Sequence, residues 1–121
     1  MTATPAPLQV PQRDVAIWRG DDDPSLVWEF GDATTPDILQ GSTFLLIVQS
    51  PGYEVVLRSE DPATTLTVDV AARTVTWAYT QAESAALPQG TARYELKRVI
   101  ANKTRTWVWG AVRVMSGLLH A

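Results

Sequence analysis

Short stretches in which apolar and polar residues alternate return about every ten residues along most of this 121-residue chain. Period two puts the apolar side chains on one face of an extended strand, so each stretch reads as a half-buried β-strand. The windows are 14–19, 25–30, 42–50, 53–59, 65–70, 74–79, 91–100 and 105–115. Turn residues separate them, among them Gly31-Asp32, Pro51-Gly52, Asp61-Pro62 and Asn102-Lys103. The expectation is an all-β fold, an antiparallel β-sandwich of about eight strands. The first two windows flank Arg19-Gly20-Asp21-Asp22-Asp23-Pro24 and read as an opening hairpin.

Two segments depart from the alternation. Residues 1–13 carry Pro5, Pro7 and Pro11 and no periodicity, which predicts an extended N-terminal arm offering Leu8 and Val10 for docking. Thr80-Gln81-Ala82-Glu83 has the spacing of a capping box, predicting one short helical turn that Pro88-Gln89-Gly90 stops. The expected organisation is an arm over 1–13, a sandwich over 14–115 and a tail over 116–121. The expected core is Ile17, Trp28, Phe44, Leu46, Val68, Trp77, Tyr94 and Leu96. Phe44 to Val48 is apolar on both faces and reads as a central, doubly covered strand.

Little in the chain points to catalysis. There is no cysteine, so disulfides, thiolate metal sites and a cysteine nucleophile are excluded. The one histidine, His120, is next to last and has no assured neighbour to tune it as a base. Phosphate-binding glycine loops and the Gly-x-Ser-x-Gly elbow are absent. Asp21, Asp22 and Asp23 are consecutive, and their carboxylates diverge, unlike the alternate ligands of a calcium loop. The expectation is therefore no enzyme, no cofactor and no metal. No apolar run approaches 18 residues and no signal-peptide layout opens the chain, so neither a membrane partner nor export is expected. A net charge of −3 is unlike the basic footprint of nucleic-acid binders.

That net charge hides an asymmetry. Residues 1–69 hold three bases and eleven acids, a net of −8; residues 70–121 hold seven bases and two acids, a net of +5. Two readings follow: acidic and basic strands pair within one sandwich, or opposite poles suit head-to-tail contacts. The last strand is also ambiguous. Trp107, Trp109, Ala111 and Met115 alternate onto one face with Arg105 and Arg113, and Val108, Val112 and Val114 onto the other. Either both faces are covered within the domain, or the Trp face bracketed by Arg105 and Arg113 meets a partner.

Five blocks follow in order across residues 14–115: Arg19-Gly20-Asp21; Thr35 to Gly41 leading into Phe44 to Val48; Thr80 to Leu87; Gly90 to Leu96; and Trp109-Gly110-Ala111-Val112-Arg113-Val114. Together they resemble a family of small β domains of tailed bacteriophages, similar to the N-terminal domain of phage baseplate upper proteins. The resemblance implies a non-enzymatic virion structural protein, a docking module of the tail or baseplate assembled in the host bacterial cytoplasm. Its partners would be other phage virion proteins and copies of itself; Leu8 and Val10 of the arm and Arg105, Trp107, Trp109 and Arg113 of the last strand are the residues expected to bind them. Alternatives are a capsid decoration or head-tail connector protein and, from a different class, a carbohydrate-binding sandwich with Trp107 or Trp109 stacked on sugar rings.

Overall fold

A computed structural model describes residues 10–116. Eight strands and one helix follow in chain order: β1 (Val15–Trp18), β2 (Leu26–Glu29), β3 (Thr43–Ser50), β4 (Tyr53–Arg58), β5 (Leu66–Asp69), β6 (Thr74–Trp77), α1 (Gln81–Ala86), β7 (Gly90–Ile100) and β8 (Lys103–Met115). They form two sheets, ordered β1-β8-β7-β3-β4 and β2-β6-β5. The all-β sandwich expected from the alternation is the observed architecture.

The inward rows of the two sheets make one core. From the larger sheet come Ile17, Phe44, Leu46, Val48, Tyr94, Leu96, Val108, Val112 and Val114; from the smaller come Trp28, Leu66, Val75 and Trp77, all at most 3% exposed. Of the expected core, Val68 alone is only partly buried, packed against the cluster from β5. Trp28 Nε1 donates to the Tyr94 hydroxyl across the core at 3.1 Å, which satisfies a donor that burial would otherwise strand. The capping box forms as spelled: Thr80 Oγ1 accepts from the Glu83 amide and the Glu83 carboxylate accepts from the Thr80 amide, both at 3.0 Å.

The opening hairpin does not form. β1 pairs with β8, in parallel, Val15 opposite Val112 through Trp18 opposite Met115. β2 instead pairs antiparallel with β6 in the other sheet. The Arg19–Pro24 segment is thus a crossover between sheets. Ile17 is buried from the larger sheet and Trp28 from the smaller, so the crossover lets each layer of the core take one of them. The larger sheet is therefore mixed and not wholly antiparallel. β3 is an interior strand, between β7 and the edge strand β4, and not the central one, and only its inner row is covered; Leu45 and Ile47 on the other face are half-buried.

The arm expectation meets the structure only at its end, because Leu8 lies outside the described residues. Pro11 to Arg13 run along β8: the Arg13 amide donates to the Trp109 carbonyl at 2.8 Å, and the Trp109 amide donates to the Pro11 carbonyl at 3.2 Å. The ladder is completed by a side chain, since Asp14 Oδ1 accepts from the Ala111 amide at 2.9 Å. That bond, with a weaker one from Gln12, holds the Asp14 carboxyl below its ordinary pKa.

Candidate interaction surface

A β-bulge decides what β8 shows to solvent. Leu96 is opposite Val108, but Lys97 is opposite Thr106, so Trp107 is an extra residue with no partner on β7. The insertion breaks the period of two, and Trp107 turns to the same side as Val108. Its ring packs edge-on against Phe30 and Phe44, with centroids 5.2 and 5.8 Å away. The Arg98 guanidinium lies over it at 4.5 Å. Trp109, two residues on, lies on the opposite side of the sheet, its neighbours Val108 and Gly110 being buried and the Arg93 guanidinium 5.9 Å from its ring.

The residues expected to share one face are therefore divided. Val10, Arg105 and Trp107 line a cleft of about 290 Å³ with Phe30 and Ile38 at one end of the sandwich. Trp109 and Arg113 lie on the outer face of the five-stranded sheet. For a sugar platform, Trp107 packs against Phe30 and Phe44 with Arg98 over its ring and Trp109 carries Arg93, whereas Trp18 is the exposed tryptophan of the outer face.

That outer face is built from alternate residues of all five strands. Registers set Trp18 beside Met115 and Ala16 beside Arg113. They also set Arg93 beside Ala111, Glu95 beside Trp109, and Ile47 between Glu95 and Val56. Trp18 is 48% exposed and Val56 43%, large apolar groups left in water at the two edges of one face. Some of its polar groups are already engaged. Lys97 pairs with Glu95 at 3.2 Å and donates to Thr106 Oγ1 at 2.7 Å, and Gln49 donates to Glu54 at 3.1 Å. Arg58, Arg93 and Arg113 have no carboxylate in ion-pair range among the described residues. Sequence reading missed Trp18 and Val56 because each was assigned to its own strand; only the sheet order puts them on one surface.

The aspartate-rich crossover is held by the helix. Ser84, fully buried, accepts from the Gly20 amide at 2.9 Å through Oγ and donates to the Asp21 carbonyl at 2.6 Å. Arg19 Nη2 donates to the Ala85 carbonyl at 2.9 Å, and the Tyr79 hydroxyl donates to the Pro24 carbonyl at 2.7 Å. Gly20 has φ +87°, a conformation that suits the residue at this sharp turn. Burial, then the charges of Asp21, Asp23 and Asp22, raise the Tyr79 pKa. The three aspartates are exposed, and among the described residues no three acidic, histidine or cysteine side chains come together as a metal site.

No family model matches the chain, and no curated protein matches it. Among solved structures the chain is similar to one described as the N-terminal domain of phage TP901-1 ORF48, with 11% sequence identity, 85% of each chain covered and a TM-score of 0.49.

Proposed function

We propose that this chain is a non-enzymatic structural protein of a phage virion, a docking module of the tail or baseplate that binds neighbouring virion proteins. The observation that carries the reading is the outer face of the five-stranded sheet. Trp18 and Val56 stand exposed there on rigid strands, with Arg58, Arg93 and Arg113 lacking carboxylate partners among the described residues. Aromatic and arginine side chains on a fixed scaffold are the residues that anchor protein interfaces, because they bury much area for little lost rotamer freedom. The ordered sequence blocks from Arg19 to Val114 resemble phage baseplate domains and name the kind of assembly.

Particles purified from a phage that encodes this chain, separated into tails and heads and probed for it, test the reading. The chain is expected in the tail fraction, and an Arg93→Glu/Arg113→Glu variant is expected to be depleted from it. Confinement to heads would favour the capsid-decoration or connector reading, and absence from particles would overturn a virion role.

A further inference from the structure

The docking reading leaves open what covers the outer sheet face, and the inference here deepens that reading and rests on it. Charge is divided between the two sides of the sandwich. The outer face of the five-stranded sheet carries four bases, Arg58, Arg93, Lys97 and Arg113, against Glu54 and Glu95, a net of +2. The three-stranded sheet with the loops leading into it, residues 19–37 and 60–77, carries nine acids against Arg19 and Arg73, a net of −7. All nine acids are exposed, and among the described residues Glu29 alone of them is in ion-pair range of a base, Arg73 at 3.2 Å. The unpaired bases thus gather on the outer face of the five-stranded sheet, and the acids on the three-stranded sheet and the loops that adjoin it. Exposed apolar groups follow the same division: Trp18 and Val56 on the basic side, Val27 and Val70 on the acidic side.

We propose that the occupant of the basic sheet face is a second copy of this chain, seated by its acidic three-stranded side. Front-to-front contact would press unpaired arginines together, and back-to-back contact would press nine acids together. Front on back satisfies both signs and buries both apolar pairs. Such an interface is heterologous, so each copy keeps one free front and one free back, and copies add into a ring or a filament.

Sedimentation velocity of the full chain tests this. At about 0.02 M salt the sedimentation coefficient is expected to rise with protein concentration, and at about 0.5 M to fall to the monomer value, as screening shortens the reach of the charges. Two variants each keep one face: Arg93→Glu/Arg113→Glu has an intact back, and Asp22→Lys/Val27→Lys/Asp61→Lys has an intact front. All five positions are exposed, and far-ultraviolet circular dichroism melts check that both variants fold. Each alone is expected to stay monomeric at low salt, and an equimolar mixture to form a 1:1 complex and nothing larger. A wild-type chain monomeric at low salt, a single variant that still self-associates, or a mixture that does not pair would overturn the proposal. The two readings fail separately. A chain monomeric in solution but present in tails sinks only the self-contact, whereas one that associates in solution but never enters particles sinks the virion role.

Discussion

Gly110 is a residue whose identity the packing dictates. A Cβ there would clash with the Arg13 carbonyl oxygen and lie 2.7 Å from its carbon, both backbone atoms that cannot swing aside. The close approach lets Arg13 lie over β8 and accept from the buried Tyr94 hydroxyl at 2.5 Å. Gly110→Ala should therefore cost about 2–3 kcal/mol in denaturant melts, as overpacking does; a cost under about 0.5 kcal/mol would mean that the arm does not cross there. The tyrosines predict an alkaline limit. Burial is the largest cause raising both the Tyr94 and the Tyr79 pKa above the ordinary 10.0. The folded state then holds phenolic protons that the unfolded state releases, so the stabilisation is complete below that ordinary value and is lost as pH rises through the raised ones. Spectrophotometric titration should show the Tyr79 and Tyr94 phenols ionising late, with stability falling across the same window; ordinary titration of these two would contradict this.

The bulge and the helix show how an element acquires a role that its own sequence does not state. Residues 105–115 read as one regular strand, and regular alternation sends Trp107 and Trp109 the same way. One unpaired residue, Trp107 itself, opposite the step from Leu96 to Lys97 on the partner strand, reverses this, putting Trp107 against Phe30 and Phe44 and Trp109 on the outer face. Nothing local to β8 spells the bulge, because it is a mismatch of register with β7. The helix contrasts with this. Its capping box was legible, since Thr80 and Glu83 are three residues apart and bond to each other's amides. What the box could not say is why the helix is there: it delivers Ser84 to the crossover backbone. Ser84→Ala leaves the Gly20 amide and Asp21 carbonyl without that partner and should cost about 1–3 kcal/mol. Thr80→Ala should cost about 1 kcal/mol. Equal costs for the two in thermal or denaturant melts would argue that Ser84 contributes only to the helix.

At the scale of the whole molecule, β1 closes the edge of the larger sheet. Among the described residues it is the first strand and pairs with the last, Ala16 beside Arg113 and Ile17 beside Val114. Removing residues 1–18 would uncover the long β8 edge and leave Val112 and Val114 without Ile17 beside them. The truncated chain is expected to aggregate or to bind hydrophobic dyes at concentrations where the full chain is dispersed. A truncated chain that melts cooperatively at the parent temperature would show that the parallel closure is dispensable.

Strand positions, the inward rows of Ile17, Trp28, Phe44, Trp77 and Tyr94, and the capping box were all legible in the amino-acid order. Each depends on residues within one turn or one strand, where period and spacing are themselves the physical cause. Pairing is not local. That β1 crosses to β8 instead of folding onto β2, that Trp107 and Trp109 part company, and that Trp18 and Val56 share a surface all depend on contacts between residues far apart in sequence. The charge asymmetry shows the boundary between the two kinds of information. Counting residues located an acidic first half and a basic second half, but only the sheet order put Arg58 of the first half on one face with Arg93 and Arg113 of the second, because a strand's position along the chain does not specify its place in a sheet.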